Sequence, residues 1–429
     1  MNTNDLYNMI SNLVKRLLLT AVIAAPLIVQ AQVEFPQRIV ADRQNSTAQQ
    51  QKPYVILISA DGFRHDYMKK YQPEHLLKLS AAGVQAESMI PSYPSLTFPN
   101  HYTLVTGLYP AHHGLVNNTF YDKSRNDRYS MSAKAKVQDG TWYGGTPLWV
   151  LAEQQKMVSA SFFWVGSEAD VKGVRPTYSY DFTEKFPMAE RIQVVKDWLN
   201  LPEEKRPHLI TFYISEPDHA GHDHGPESPE AAAAVKMVDQ AIFELTEVVK
   251  TTGLPVNFIF LSDHGMTTVD REHPLSLPKS IDPEKFVVPT SGTTVSIHAK
   301  NKRDIKPLYK QLKKEAKDYE VYLKTKMPKK FHYGAKDDKF DRIGDIVLIP
   351  TWPRVFSSRT PSPGQHGFDP TRVKDMHATF FAWGPAFKSG LKIPSFENVN
   401  VYPLITEILG LQNTEKIDGK KKVLKQVLK

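Results

Sequence analysis

The chain of 429 residues contains no cysteine. That excludes disulfide scaffolds, thiolate zinc sites, iron–sulfur clusters, cysteine nucleophiles and lipid anchoring through cysteine, and leaves His, Asp, Glu or hydroxyl oxygen to hold any metal. A large excess of one charge is also missing: 54 Lys and Arg face 46 Asp and Glu, a net of +8. This excess gives no argument for sequence-specific nucleic acid binding and suits an anionic small molecule. Charged residues, at 23%, are too few for a disordered chain, while 41% apolar residues suffice for a large core. No internal repeat of roughly 20–50 residues is visible.

Long apolar runs are scarce. The run LLLTAVIAAPLIV follows Lys15-Arg16 and, at about 13 residues, is short of the roughly 20 that a membrane span needs. A basic start, an apolar stretch and the small-residue tripeptide Val29-Gln30-Ala31 read as a secretory signal peptide over residues 1–31. A retained anchor is the alternative. The expectation is an exported chain, secreted or periplasmic, with no later membrane span. Residues 32–52, polar and Gln-rich, read as a linker.

Four apolar, β-rich runs follow: Tyr54–Ala60, His208–Ser215, Val256–Ser262 and His377–Trp383. Continuous runs without alternation are what strands covered on both faces look like. Helical patterns lie between them, among them residues 230–253 closed by Gly253. The alternation predicts an α/β fold with a mostly parallel central sheet and helices on both faces. Residues 280–360 break the pattern, with a strand, a Lys-rich helix and two more strands, and read as a small α+β insertion. The core is then 53–279 and 361–411, and the basic tail 412–429 is expected to be a frayed or surface helix.

Three of the strands run directly into candidate chemistry. The first reaches Asp61-Gly62, the second Asp218 and His222, and the third Asp263-His264. Ligands of parallel sheets bind at the carboxyl ends of strands, and converging aspartates require a cation. Singly, these residues read equally well as a turn, a helix cap or ordinary polar contacts, and His366 as a loop histidine. Together they form a mixed Asp/His inventory that matches divalent metal, zinc first, and exceeds the needs of one tetrahedral ion. Two ions about 3.5–4 Å apart would use it fully. Thr97, two residues before Pro99, falls at a helix N-terminus that favours an anion, either as a helix cap or as a nucleophile.

The blocks DGFR at 61–64, TFPNHYTLVTGLYPAHHGLVNN at 97–118, EPDHAGHDHGP at 216–226, DHGM at 263–266 and GQHGF at 364–368 resemble those of nucleotide pyrophosphatase/phosphodiesterases of the alkaline phosphatase superfamily. The resemblance spans about residues 53–411. It implies an alkaline-phosphatase-like core and two zinc ions, one on Asp218, His222 and His366, the other on Asp61, Thr97, Asp263 and His264. Thr97 is then the nucleophile that forms a phospho-threonine intermediate. Asn118 and backbone N–H groups near Phe98 are implied as donors to phosphate oxygens, and Phe98 as the aromatic against a nucleobase. The second stacking aromatic is left between Tyr178 and Tyr180. The implied substrate is a small phosphodiester, such as a nucleotide. The rival readings are a phosphomonoesterase, a lipid or glycerophosphodiester esterase, a phosphonate hydrolase and a non-catalytic zinc-binding protein.

Overall fold

Seven consecutive buried residues, Tyr54–Ala60, form the centre of the molecule. In the computed structural model, residues 35–289 and 291–429 are described, with Asn2, Thr3 and Met9 besides. Apart from these three, the segment 1–31 expected to be a signal peptide lies outside the described residues. Residues 37–429 form one unit. Its central sheet has nine strands: β1 (Arg38–Ile39), β2 (Tyr54–Ala60), β3 (Val84–Ala86), β4 (Ser159–Phe162), β5 (Tyr178–Tyr180), β6 (Leu209–Ile214), β7 (Val256–Leu261), β8 (Phe380–Trp383) and β9 (Leu391–Ile393). Their order is β1-β5-β4-β6-β2-β7-β8-β3-β9.

The middle of this sheet is parallel: β5, β4, β6, β2 and β7 run the same way. The Val, Ile, Leu and Phe residues of β6, β2 and β7 are buried on both faces, which is the condition that parallel strands require. The predicted run at 377–383 shortens to β8 and is antiparallel to β7, with Phe380 opposite Leu261. The chain reaches β8 through a loop that already lies at the carboxyl end of β7. There the Gly265 N–H donates to the Met376 carbonyl at 2.9 Å, so the strand starts at that end and runs back.

Three helices matter to the site: α1 (Thr97–Thr106), α2 (Asp218–His224) and α3 (Pro229–Lys250). The side chain of Ser228 caps α3 by accepting from the Ala231 N–H. Gly253 follows the end of α3 at φ 70, where a residue without Cβ is unstrained.

Within 280–360, a separate antiparallel sheet joins Phe286–Val287, Val295–Ala299, Ile346–Pro350 and Tyr319–Leu323 in that order. The Lys-rich helix Ile305–Glu315 covers one face through Leu308 and Leu312. Along Ile346–Pro350, Ile346 and Leu348 join that small core while Val347 and Ile349 join the main one. The two-residue period of a strand thus explains an unbroken apolar run.

The two ends of this unit are more firmly held than their composition suggests. Within 32–52, β1 pairs with β5, and Asn45 is buried with its amide donating to the Glu203 and Arg206 carbonyls and its oxygen accepting from the Val158 N–H. The tail forms a short helix, Lys421–Leu424, with Leu424 and Val427 buried against the main core. It is therefore packed, not frayed: its apolar residues, spaced three apart, lie on one face.

Candidate active site

β6, β2 and β7 are adjacent and parallel, so their carboxyl ends lie side by side. Each delivers a carboxylate there: Asp218 after β6, Asp61 directly after β2, and Asp263 after β7. The approach is close. Gly62 has φ 67, and a Cβ on it would lie 3.0 Å from both the Cα and Cβ of Asp218. Ser262 ties two of the ends together, accepting from the Phe63 N–H at 2.9 Å and donating to the His264 carbonyl at 2.7 Å.

All seven residues predicted as metal ligands come together here. His222 stands one turn after Asp218 on α2, with Nε2 3.5 Å from Oδ2. His366 brings its Nε2 to 3.6 Å from Asp218 Oδ1 and 3.1 Å from His222 Nε2. His264 Nε2 is 2.9 Å from Asp263 Oδ2, 3.5 Å from Asp61 Oδ1 and 3.2 Å from Thr97 Oγ1. Two overlapping donor groups, Asp218/His222/His366 and Asp61/Asp218/His264, each have ligand atoms within 4.8 Å of one another. A third combines Asp61 and Asp263 with His101.

The histidine tautomers follow from their partners. Nδ1 of His222, His264 and His366 faces the carbonyls of Gly364, Gly265 and Ser95 at 2.9, 2.9 and 3.0 Å. A carbonyl can only accept, so each Nδ1 carries a proton and each Nε2 is the atom turned to the cluster, free to ligate a cation when it carries no proton itself. Burial opposes protonation of His264, but the Asp263 carboxylate overcomes it and raises the His264 pKa. His222 Nε2 and His366 Nε2 face each other at 3.1 Å, a contact that needs a proton or a cation between them. Asp61 Oδ1, Asp218 Oδ1 and Asp263 Oδ2 are buried without a hydrogen-bond partner among the described residues. Burial, followed by the Asp263 and Asp218 charges, pushes the Asp61 carboxyl well above its ordinary value. Burial also opposes ionisation of Asp263, but His101 and His264 overcome it and hold that carboxyl well below the usual range. Burial, together with His264 and His222, holds His366 well below the usual imidazole value. Imidazole nitrogens turned to one cluster and orphaned carboxylate oxygens, without thiolate, fit divalent cations.

Thr97 is the first residue of α1, and Leu96 is its cap. The Thr97 hydroxyl is thus not spent on capping. Asn100 braces the approach: its amide donates to the Pro94 and Leu96 carbonyls, and its oxygen accepts from the Ser92 N–H and from Asn398. Pro99 has no N–H, and the Phe98 N–H donates to Asn118 Oδ1 at 2.9 Å. The Phe98 amide expected to face a phosphate oxygen is therefore occupied. That bond leaves the Asn118 NH2 as the donor.

A cavity of about 410 Å³ opens from Thr97, Asp61 and Asp218 between Phe98, Phe163 and Phe182. Tyr178 and Tyr180 are not part of it. Both are buried in β5 and line a different cavity, and Tyr180 stacks on Phe162 at 4.8 Å. The aromatics at the site come immediately after strand ends: Phe163 follows β4, and Phe182, 47% exposed, lies two residues past β5. The rule that located the aspartates, ligands beyond the carboxyl ends of strands, points to them as well. His101, four residues after Thr97 on α1, and Tyr213 in β6 were also missed. Among the described residues, no arginine lines this cavity. Arg64 turns away to Asp66, Glu227 and the Met266 carbonyl.

The sequence profile of the type I phosphodiesterase/nucleotide pyrophosphatase family matches residues 55–369. The chain belongs to this family. Ectonucleotide pyrophosphatase/phosphodiesterase family member 1 of Mus musculus is 34% identical over 388 residues, covering 86% of this chain and 42% of the relative. A venom phosphodiesterase of Crotalus durissus collilineatus is 34% identical over 389 residues, covering 87% and 46%. The chain thus spans less than half the length of these relatives. Among solved structures, murine ectonucleotide pyrophosphatase/phosphodiesterase 5, in an inactive threonine-to-alanine form in complex with AMP, superposes with a TM-score of 0.81 at 28% identity, covering 88% of this chain and 100% of that one. The human counterpart gives 0.81 at 27%. The fold is therefore that of the family, an α/β core around a large, mostly parallel sheet. Among the described residues, no helix is long and apolar enough to cross a membrane.

Proposed function

We propose that the protein is a metal-dependent phosphodiesterase/pyrophosphatase that cleaves nucleotide phosphodiester or pyrophosphate bonds and releases a nucleoside monophosphate. The observation that carries this reading is Thr97: its hydroxyl stands 3.2 Å from His264 Nε2 at the edge of a three-carboxylate cluster, at the mouth of an aromatic cavity. Family membership and the AMP bound to the murine structure support it.

Asp218, His222 and His366 would hold one zinc ion, and Asp61, Asp263, His264 and Thr97 the other. Such a pair supplies Lewis-acid charge that lowers the pKa of a hydroxyl and stabilises a departing oxygen. Thr97 Oγ1 attacks phosphorus in line, the bond to the leaving oxygen breaks, and the nucleotidyl group passes to threonine. Water then attacks the phospho-threonine, returning the oxygen to Thr97. The Asn118 NH2 donates to a non-bridging oxygen as its charge grows. Phe98 and Phe182 hold the nucleobase between them, with Phe163 behind. We further propose that the enzyme acts outside the cytoplasm, in keeping with its apolar N-terminal run and with the ecto- and venom enzymes among its relatives.

The test is turnover of the nitrophenyl ester of thymidine monophosphate against nitrophenyl phosphate by zinc-loaded protein. The diester is expected to be strongly preferred, and Thr97→Ala to lose at least about a thousandfold in kcat. Preference for the monoester would move the protein to phosphatase chemistry, a result that the arginine-free cavity argues against.

A further inference from the structure

We propose that the Tyr213 hydroxyl is a positioning group that selects which oxygen of Asp61 faces a bound cation. This inference rests on the metal reading of the cluster given above.

Tyr213 is the penultimate residue of β6 and pairs with Ser59 of β2, two residues before Asp61. Its hydroxyl donates to Asp61 Oδ2 at 2.7 Å. A phenol at neutral pH has a proton to give and a carboxylate only accepts, so the bond has one direction. The other oxygen, Oδ1, is buried without a hydrogen-bond partner among the described residues and lies 3.5 Å from His264 Nε2. The phenol thus engages one oxygen and leaves its twin aimed at the donors of His264. Asp61 is held as a single-oxygen ligand, its carboxylate plane fixed. Without the hydroxyl, Oδ2 is released into a buried, cation-attracting space, and both oxygens compete for the ion.

Tyr213 is itself held at its backbone and at its ring. The Arg191 guanidinium donates to the Tyr213 carbonyl and stacks over Phe163 and Phe212 at 4.9 and 4.6 Å. The Tyr213 ring lies edge-on to His101 at 5.1 Å and to Phe182 at 6.1 Å, and it lines the cavity. Tyr213 therefore joins the carboxylate cluster to the aromatic wall. Phenylalanine would fill the same space and keep these ring contacts, so the contribution of the hydroxyl can be separated from packing.

The experiment compares wild type, Tyr213→Phe and Tyr178→Phe. Tyr178 is a control phenol that donates to the Lys205 carbonyl away from the cluster. Each protein, stripped of metal, is titrated with zinc against a chromophoric chelator and then with cobalt(II), whose visible absorption reports coordination. Wild type is expected to bind two ions. Tyr213→Phe is expected to lose about 10- to 100-fold in affinity for one of them, the size of effect typical of a group that orients a ligand, and to show an altered cobalt absorption with an unchanged melting profile. Tyr178→Phe should match wild type. Equal zinc affinities and cobalt spectra for wild type and Tyr213→Phe would overturn the role of Tyr213 and leave the metal centre standing. An equal loss in Tyr178→Phe would overturn it too, since any missing hydroxyl would then have the same effect. A wild type that binds no ion would overturn both this inference and the metal reading.

Discussion

Phe182 illustrates how a side chain gains a role from its position relative to a strand end. Inside β5, Tyr178 and Tyr180 are enclosed by neighbours; two residues beyond, Phe182 stands 47% exposed beside the cavity. Base stacking on an aromatic contributes about 1–3 kcal/mol, so Phe182→Ala should raise KM for a nucleotide diester roughly tenfold or more and Tyr180→Phe should leave it unchanged. Steady-state kinetics on both variants checks this, and a KM shift in Tyr180→Phe alone would contradict it. A second residue, His112, sets a pH dependence outside the site. Its Nδ1 is 2.7 Å from Asp418 and its Nε2 3.4 Å from Asp337. The hydrogen bond that its Nδ1–H donates to Asp418, opposed by burial, raises its pKa. A raised folded value means that the stabilisation is fully present below the unfolded value, about 6.5, and is lost as pH rises through the folded one. The gap in urea midpoint between wild type and His112→Gln should therefore be widest at about pH 5–6 and narrow at alkaline pH. A gap independent of pH would contradict the pairing.

At the scale of elements, what the sequence made legible was whatever depends on local pattern. β2, β6 and β7 are largely apolar runs, and their neighbourly arrangement brings the three separate Asp-bearing segments that follow them into one cluster. Strand direction was less legible: the run that ends in β8 looks like the other three, and only the path of the preceding loop reverses it. Packing of the ends was illegible for a related reason. Lys420, Lys421, Lys422 and Lys425 dominate the composition of the tail, yet Leu424 and Val427 decide its fate by meeting the core. Leu424→Ala should accordingly lower unfolding free energy by about 2–5 kcal/mol, the range for emptying a buried leucine site. Urea denaturation measures it, and a change within experimental scatter would show the tail to be loosely held. The Phe98 amide was beyond sequence reasoning altogether, because its partner Asn118 is 20 residues away and the bond exists only once α1 has formed.

For the whole molecule, three buried carboxylates at one sheet edge place like charges together, which opposes folding unless positive charge compensates. A cation bound only by the folded chain stabilises it by mass action, about 2.7 kcal/mol per site at a hundredfold excess over Kd. Chelation of zinc-loaded protein should lower Tm by several degrees and zinc should restore it; an unchanged Tm would mean that the cluster is stable without metal. The central claim is covalent: a nucleotidyl group passes to Thr97 and then to water. Each in-line displacement inverts phosphorus, so two displacements retain its configuration and one inverts it. Hydrolysis of a phosphorothioate diester of defined configuration in oxygen-18 water, followed by stereochemical analysis of the product, reads this directly. Net retention is the result expected, and net inversion would mean that water attacks the substrate itself and that Thr97 is not the nucleophile.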